Sequence, residues 1–258
     1  MINPMSLENQ VVIVTGAGQG IGRGIAMLAA DLGARVVVND VNEANAAQTA
    51  EQIGGNARAI AGDVADPAFP EQLVKFTLDA FGDINGLVNN AGIVRAAMIH
   101  KMDRATWQQV IDVNLTGVFA CLQAVGSYYR AQAEKNLGAP ARRAIVNISS
   151  DAGRRGTIGQ INYGAAKSGV LGLTMSAARE WGRYQISVNS VCFGMVETPM
   201  TETIRSDKFV DKYMAQIPMG RMSTPDEVAR PVCFLLSEAA SYITGQHLSV
   251  NGGYHIGF

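Results

Sequence analysis

The chain has 258 residues, with 21 basic and 22 acidic side chains, so its formal net charge is −1 at pH 7. This balance gives no reason to expect nucleic acid or an anionic membrane as a partner. No apolar run reaches the ~18 residues that a membrane span needs, and the first ten residues do not resemble a signal peptide. The cysteines, Cys121, Cys192 and Cys233, are odd in number and far apart, which favours a reducing, cytoplasmic location over disulfides. The histidines show no metal-ligand spacing, so we expect no metal site.

Short β-branched runs alternate with longer segments of helical periodicity along the whole chain. The runs are compact and apolar, as in a parallel sheet that is covered on both faces. The strand candidates are Val11–Thr15, Arg35–Asn39, Ala57–Ala61, Ile84–Asn89, Arg143–Ser149, Ser187–Cys192 and His247–Val250. Helices are predicted between them, among them Ile21–Leu32, Asn42–Ile53 and Pro70–Phe81. This alternation predicts the α/β class: a Rossmann-type, doubly wound parallel sheet of about seven strands flanked by helices, in one domain spanning residues 1–258.

Two connections are longer than this architecture needs. The residues Glu134–Arg142 are predicted to form an exposed loop before the fifth strand, and Glu197–Thr224 are predicted to form a larger excursion beyond the sixth. Because the ligand of an open α/β sheet lies outside the carboxyl ends of its strands, the second excursion is placed to act as a lid.

The first strand runs into a glycine-rich turn, Thr15–Gly22, whose useful glycines are Gly16, Gly20 and Gly22. Such a turn lets the backbone approach a pyrophosphate at the start of a helix. Asp40 follows at the end of the second strand, where a carboxylate can bind the ribose hydroxyls of NAD and repel the 2′-phosphate of NADP. Gln19 and Val41 beside it are uncharged, so we expect NAD rather than NADP. A glycine turn without a ligand is the alternative, but the order of strand, turn, helix and acid favours the nucleotide.

A tyrosine and a lysine are spaced four residues apart at Tyr163 and Lys167, and Ser150 lies thirteen residues upstream of the tyrosine. On a helix this spacing puts both side chains on one face. A free tyrosine ionises near pH ~10, and a nearby cation is expected to lower its pKa toward the range of a general acid/base. The Ser150 hydroxyl is placed to hydrogen-bond a substrate oxygen. Taken singly, each residue also suits a structural role; their combination favours catalysis.

These residues, with several further motifs, resemble the short-chain dehydrogenase/reductase family in its single-domain form. The resemblance runs from about Gln10 to Gly253. It includes the turn T-G-x-x-x-G-x-G, a pair that contacts adenine, an N-N-A-G segment, an asparagine within D-V-N-L-T-G, and the serine, tyrosine and lysine. The matching positions are Thr15–Gly22, Asp63-Val64, Asn89–Gly92, Asn114, Ser150, Tyr163 and Lys167.

The resemblance implies a role for each matching residue. Tyr163 would exchange a proton with the substrate oxygen, Ser150 would orient that oxygen, and Lys167 would hold the nicotinamide ribose. Asn114 would keep a water in a proton relay. The implied cofactor-binding residues are Gly16, Gln19, Gly20, Ile21, Gly22, Asp40, Asp63, Val64, Asn90, Ala91, Gly92, Tyr163, Lys167, Val196 and Thr198.

One position departs from the family pattern: Phe193-Gly194 stands where Pro-Gly is usual. A proline would fix the backbone angle φ, whereas phenylalanine removes that constraint and adds bulk. The expected effect is on the shape of the nicotinamide pocket and not on the chemistry.

The resemblance implies an oxidoreductase that moves a hydride between NAD(H) and a secondary alcohol or ketone, a small-molecule substrate. The alternative is a 3-oxoacyl-thioester reductase that acts on acyl carrier protein or CoA substrates with NADPH or NADH. A non-catalytic NAD-binding sensor is the alternative from another class. A sugar epimerase would need a larger substrate domain.

The substrate pocket and the assembly are less strongly specified. Arg154 and Arg155 lie just beyond Ser150, and one of them is a candidate partner for an anionic substrate group. The candidate pocket walls are Val94, Gln160, Met195, Met200, Ile204, Tyr213 and Met214. The resemblance also implies a homotetramer, built by the long helices predicted at Arg104–Ala133 and Gln160–Arg183 and by the end of the chain near Gly252 to Phe258.

Overall fold

A parallel sheet of seven strands forms the centre of the molecule in the computed structural model, which describes residues 3–135, 142–202 and 210–257. The strands lie in the order β3-β2-β1-β4-β5-β6-β7, and every neighbouring pair is parallel. Their bounds are β1 Val11–Val14, β2 Arg35–Asp40, β3 Ala57–Ala61, β4 Gly86–Asn89, β5 Arg143–Ser150, β6 Ile186–Phe193 and β7 His247–Val250. The predicted α/β class and doubly wound sheet are confirmed. That residues 1–258 form one domain stays a prediction.

Helices cover both faces of the sheet, as the continuous apolar character of the strands requires. Their bounds are α1 Gly20–Asp31, α2 Glu43–Ile53, α3 Phe69–Phe81, α4 Arg104–Ile111, α5 Gly117–Lys135, α6 Ala152–Arg155, α7 Ile161–Trp181, α8 Val210–Met214 and α9 Pro225–Leu236. Residues Asp112–Thr116 form a short π-helix between α4 and α5. The predicted helix at Arg104–Ala133 is therefore interrupted once, and the helix predicted at Gln160–Arg183 is observed as α7.

Two apolar cores lie on the two sides of the sheet. One contains Ile25 of α1 and Leu236 of α9, and the other contains Leu73 of α3 and Leu122 of α5. Each of the three cysteines is buried and free: Cys121 on α5, Cys192 on β6 and Cys233 on α9.

The direction of the strand order reverses between β1 and β4, and this reversal positions the site. To one side of β1 lie β2 and β3, and to the other side lie β4 to β7. The connections that leave the carboxyl ends of β1 and β4 therefore diverge, which opens a crevice between them. The glycine turn after β1 and the N-N-A-G segment after β4 meet at this crevice.

One helical run, Arg104–Lys135, is long and apolar enough to cross a membrane by length and composition alone. This differs from the expectation that no such run exists. However, Leu122, Val125 and Tyr129 of this run are buried in one of the two apolar cores, as in a core helix.

Some sequence predictions concern residues outside the described ranges. Most of the loop predicted at Glu134–Arg142, part of the excursion Glu197–Thr224, the candidate wall residue Ile204 and the terminal Phe258 belong to this group.

Candidate active site

The glycine turn between β1 and α1 has a backbone that side chains would obstruct. Gly16 and Gly20 have φ angles of +62° and +55°, in the left-handed region that favours glycine. A Cβ atom at Gly22 would lie 2.2 Å from the Gly16 carbonyl oxygen and 2.4 Å from the Asn90 side-chain nitrogen. The turn therefore depends on glycine at these positions.

The start of α1 is suited to an anion. Its N-cap residue, Gln19, makes no side-chain hydrogen bond to the helix, and the first turn contains no acidic residue. The first backbone N–H groups of a helix have no partner within the helix, and the helix dipole adds positive potential there. A pyrophosphate therefore fits at this terminus, which faces the cleft through Gln19, Gly20 and Ile21.

Asp40 closes the adenosine side of the cleft. Its carboxylate Oδ2 accepts a hydrogen bond from the Gly18 backbone N–H at 2.9 Å, and Oδ1 accepts one from the Asn42 N–H at 3.0 Å. These bonds fix the carboxylate in the cleft wall, and each oxygen keeps a further lone pair for a ribose hydroxyl. Asp63 and Val64, just after β3, line the same part of the cleft.

Hydrogen bonds join the glycine turn to the segment after β4. The Thr15 hydroxyl accepts from the backbone N–H groups of Asn90 and Ala91, both at 3.1 Å. In return, the Asn90 side chain donates to the carbonyl oxygens of Thr15 at 2.9 Å and Gly16 at 3.0 Å. The sequence did not indicate that the Thr15 hydroxyl joins these two segments, because Thr15 was considered only as the first residue of the glycine-turn motif.

Ser150 and Tyr163 meet at the carboxyl end of β5. Ser150 is the last residue of β5, and its hydroxyl accepts a hydrogen bond from the Ala152 backbone N–H at 3.2 Å. Tyr163 lies in the first turn of α7, with its phenol beside the Ser150 hydroxyl. A substrate oxygen placed between the two hydroxyls would contact both.

Lys167 lies one helical turn after Tyr163, as predicted, and it is buried. Its ammonium group donates to the Ile148 carbonyl oxygen at 2.8 Å and lies 5.8 Å from the centre of the Tyr163 ring. Asn114 lies nearby, because a Cβ atom at Gly92 would be 3.5 Å from Lys167 Nζ and 3.6 Å from Asn114 Oδ1.

Asn114 is fully buried within the π-helix and is used structurally. Its Oδ1 accepts from the Ile93 backbone N–H at 2.8 Å, and its Nδ2 donates to the Ile93 carbonyl oxygen at 2.9 Å. The side chain thus fixes the segment that follows β4. It does not line the cleft, whereas the other predicted site residues do.

The pKa of Tyr163 differs in direction from the sequence-based expectation. Burial raises the pKa of Tyr163, and the hydrogen bond from Ser150 only partly offsets this effect. Burial also lowers the pKa of Lys167 to about 8, which the neighbouring Cys192 partly offsets. The expected lowering of the tyrosine pKa is therefore wrong for the chain without cofactor, because desolvation is the largest effect on the Tyr163 phenol.

The site residues surround one cleft of about 480 Å³, within the range of roughly 300–1,000 Å³ that is typical of small-molecule sites. All fifteen predicted cofactor-binding residues line it, together with Ser150. Of the predicted substrate walls, the structure places five in the lining: Val94, Gln160, Met195, Met200 and Tyr213. Met214 is not among them. No group of three or more metal-binding side chains occurs in the described ranges.

The far wall of the cleft contains two residues that the sequence did not bring together, Arg155 and Tyr254. The guanidinium carbon of Arg155 lies 3.8 Å from the centre of the Tyr254 ring. Tyr254 reaches this position because Asn251 donates to both carboxylate oxygens of the buried Asp151, at 3.1 and 2.9 Å. The two partners are a hundred residues apart in sequence, so no local pattern could have indicated the contact.

Phe193, which stands where the family usually has proline, is the last residue of β6 and is buried in the core. Its carbonyl oxygen accepts from the Asp151 N–H at 3.0 Å, and it lines the cleft. A Cβ atom at the following Gly194 would lie 2.7 Å from Asn251. The turn after β6 therefore packs against the same asparagine that holds the end of the chain.

Comparisons with known proteins agree with this geometry. A family model described as "Enoyl-(Acyl carrier protein) reductase" matches residues 16–255. The 3-oxoacyl-[acyl-carrier-protein] reductase FabG of Vibrio cholerae serotype O1 is 40% identical over 252 residues, covering 98% of this chain and 100% of the relative. The 3-oxoacyl-[acyl-carrier-protein] reductase of Synechocystis sp. is 42% identical over 253 residues, covering 96% and 98% respectively.

Solved structures show the same similarity. A 3-ketoacyl-(acyl-carrier-protein) reductase from Brucella melitensis, complexed with NADH, superposes with a TM-score of 0.90 at 33% identity, covering 97% of this chain and 100% of that one. A putative short-chain alcohol dehydrogenase from Sinorhizobium meliloti 1021 gives the same TM-score and identity, covering 98% of both chains. With the family model, the relatives and the geometry in agreement, the chain belongs to the short-chain dehydrogenase/reductase family and is an NAD(P)-dependent oxidoreductase that acts on CH–OH groups.

Proposed function

We propose that this protein is an NADH-linked reductase that converts the keto group of a 3-oxoacyl thioester into a secondary alcohol. The observation that carries the proposal is the Ser150–Tyr163 hydroxyl pair, which faces the same cleft as the uncapped start of α1 and Asp40. The relatives from Vibrio cholerae and Synechocystis are named 3-oxoacyl-[acyl-carrier-protein] reductases, which supports this substrate class over the general secondary alcohol that the sequence favoured.

In this proposal the two hydroxyls act on the carbonyl oxygen of the substrate. Ser150 donates a hydrogen bond to that oxygen, and Tyr163 donates its proton to it as the carbonyl becomes an alcohol. NADH, when bound, supplies the hydride to the carbon. The raised pKa of Tyr163 suits reduction, because the phenol keeps its proton until the oxygen gains negative charge.

The remaining residues orient this pair and the cofactor. Lys167 holds the nicotinamide ribose and Asn114 supports a water relay, the roles that the family resemblance implies. The direct contacts of Asn114, both to Ile93, add that it fixes one wall of the cofactor cleft.

NADH is proposed over NADPH because of Asp40. A 2′-phosphate on the adenosine ribose would lie against its carboxylate, which two backbone N–H groups hold in place. Like charges at this distance repel, and neither Gln19 nor Val41 offers a compensating cation. The Brucella melitensis reductase is complexed with NADH in its crystal structure, which supports the same choice here.

A second candidate is an NAD-linked dehydrogenase of secondary alcohols. Asp40 favours it, because NAD is the usual acceptor for oxidation, and the Sinorhizobium meliloti relative is named as a short-chain alcohol dehydrogenase. The description of the family model instead names an enoyl reduction, which acts on a C=C bond. The hydroxyl pair favours a substrate oxygen as the reacting group, so C=O reduction is the better fit.

The test is a kinetic comparison of the wild type with Tyr163→Phe. A neutral 3-oxobutanoyl thioester of N-acetylcysteamine serves as substrate, and NADH and NADPH are compared as donors. We expect turnover with NADH preferred, and a fall in kcat of about 10²- to 10⁴-fold in the variant, because the proton donor is lost. NADH binding, followed by fluorescence, should be retained. Tyr242→Phe, which changes a fully exposed tyrosine, is the control.

Three results would count against the proposal. Undiminished turnover by Tyr163→Phe would remove the tyrosine from the mechanism, and a preference for NADPH would remove the argument from Asp40. NADH binding without turnover of any ketone or alcohol would instead support the non-catalytic sensor.

A further inference from the structure

Among the described residues, the exposed charged side chains on the substrate side of the cleft are positively charged. Among the residues that the structure describes, three carboxylates line the cleft, and two of them, Asp40 and Asp63, lie on the adenosine side at the ends of β2 and β3. The third, Asp151, is 2% exposed and accepts hydrogen bonds from Asn251 through both oxygens; burial raises its pKa, and the charge of nearby Arg155 partly offsets this effect. Besides the buried lysine, the cations on the substrate side are Arg95 and Arg155, and neither forms an ion pair with any residue in the described part of the chain.

Arg155 is held in place by its surroundings. Its backbone N–H donates to the Asp151 carbonyl oxygen at 2.9 Å, and its guanidinium lies over the Tyr254 ring. The ring is anchored in turn, because the Tyr254 N–H donates to the Asn251 carbonyl oxygen at 3.1 Å. Stacking occupies only the flat face of a guanidinium, so the N–H groups at its edge stay available for a carboxylate or a phosphate.

Arg155 also lies close to the reacting groups. Helix α6 begins at Ala152, whose N–H donates to the Ser150 hydroxyl, and Arg155 is the last residue of that single turn. It lines the same cleft as Ser150 and Tyr163. A substrate whose keto oxygen contacts the two hydroxyls can therefore extend toward the guanidinium.

The other two arginines of this region are less suitable. Arg154 donates to the Ser249 hydroxyl at 2.6 Å and does not line the cleft. Arg95 donates to the Val94 carbonyl oxygen at 3.0 Å, and its guanidinium lies over no aromatic ring in the described part of the chain. Arg155 alone of the three combines a place in the lining with a fixed orientation.

We propose that Arg155, stacked on Tyr254, binds an anionic group of the substrate at the far wall of the cleft and so makes the enzyme selective for anionic carbonyl substrates. The anion is either a carboxylate on a small 3-oxo acid or the phosphate of a pantetheine arm, since a guanidinium recognises both in the same way. The inference rests on the proposed carbonyl reduction and adds the substrate class.

Two matched substrate pairs test the inference. The first pair is 3-oxobutanoate and its methyl ester, and the second is 3-oxobutanoyl pantetheine with and without the 4′-phosphate. For each pair the ratio of kcat/KM, anionic over neutral, is measured with NADH in the wild type, Arg155→Gln and Arg154→Gln. Removing the guanidinium should lower the ratio in at least one pair by about tenfold, since a charge-assisted hydrogen bond is lost.

The pair that responds identifies the source of the anion. Arg154→Gln removes the same charge one residue away and should leave both ratios unchanged. Added salt should lower the ratio in the wild type and have less effect in Arg155→Gln, because an exposed ion pair is screened. Wild-type ratios near one, ratios unchanged in Arg155→Gln, or an equal effect of Arg154→Gln would each overturn the inference.

Failure of the proposed function is distinguishable from failure of this inference. If no ketone turns over, the affinity of the NADH complex for 3-hydroxybutanoate and its methyl ester is measured by calorimetry in the same three proteins. A preference for the carboxylate that Arg155→Gln abolishes would still support the anion site. No preference in the wild type would overturn it.

Discussion

At the scale of single residues, the burial of Tyr163 affects its pKa more than its spacing from Lys167 does. The four-residue spacing correctly predicted that both side chains share one helix face at the end of β5. It could not predict that burial would raise the pKa of Tyr163 and lower the pKa of Lys167. The burial of Lys167 involves Ile148 on β5 and Cys192 on β6, and desolvation acts against the charged form of each group.

The lowered pKa of Lys167 has a consequence for stability. With a folded pKa of about 8 against 10.5 for a free lysine, the unfolded chain binds more protons at this group between these two values. The contribution of Lys167 to the free energy of unfolding therefore becomes more favourable as pH rises across that window. Below the window, the full cost of burying the charged ammonium group is present. The free energy of unfolding of the wild type, relative to Lys167→Met, should increase as pH rises from about 8 to 10.

Urea unfolding of both proteins at several pH values measures this difference, and groups common to both cancel. Lys75→Met, at an exposed lysine, is the control for the lost charge. A difference that stays flat with pH would show that Lys167 titrates in the folded chain as a free lysine does.

At the scale of elements, the strands and the first turn were the most predictable features. All seven predicted strands end within one residue of the observed carboxyl ends, and two of them, β3 and β7, agree at both ends. Buried parallel strands produce short apolar runs, so their pattern is local. The π-helix at Asp112–Thr116 was not predictable from periodicity, because the helical pattern continues through it. Within it, the Asn114 side chain makes two hydrogen bonds to Ile93, a contact between distant residues that periodicity does not indicate.

The turn into α1 allows a sharp test with two glycines. Gly22→Ala should abolish NADH binding and destabilise the fold, because the added Cβ would lie 2.2 Å from the Gly16 carbonyl oxygen. Gly182→Ala has open space around it and a φ of −55°, so it should be neutral or stabilise by up to about 1 kcal/mol. Fluorescence titration with NADH and thermal unfolding measure both effects. Normal NADH affinity in Gly22→Ala would show that the turn can relax.

At the scale of the whole molecule, the cofactor side of the site was predictable and the far wall was not. The residues of the cofactor side follow strands in a fixed order, so motif positions translate directly into space. Arg155 was recognised as a candidate, but its partner Tyr254 was assigned only to a subunit contact. The segment that contains Tyr254 is held at the cleft by the hydrogen bond between Asn251 and Asp151, and these two residues are a hundred positions apart in the sequence.

The assembly is expected to be a cytoplasmic homotetramer, and this stays a prediction. Phe119 on α5 and Met175 on α7 are 43% and 48% exposed, which leaves apolar area on both helices that the resemblance assigns to a subunit interface. Sedimentation velocity should give a tetramer for the wild type and smaller species for Phe119→Lys, because the charge would be buried. Met27→Lys, on α1, is the control. A monomeric wild type would contradict the expectation.

The three buried thiols provide a probe of how the molecule opens. Burial raises the pKa of Cys121 and Cys233 to about 12 and also raises that of Cys192, so alkylating reagents meet protonated, enclosed sulfur atoms. They sit on three separate elements, α5, β6 and α9. The rate at which each thiol is labelled under native conditions would therefore distinguish two kinds of opening. Different rates would indicate partial opening of one layer, and equal rates would indicate complete unfolding. Bound NADH should slow the labelling of Cys192 most, because it lies beside Lys167.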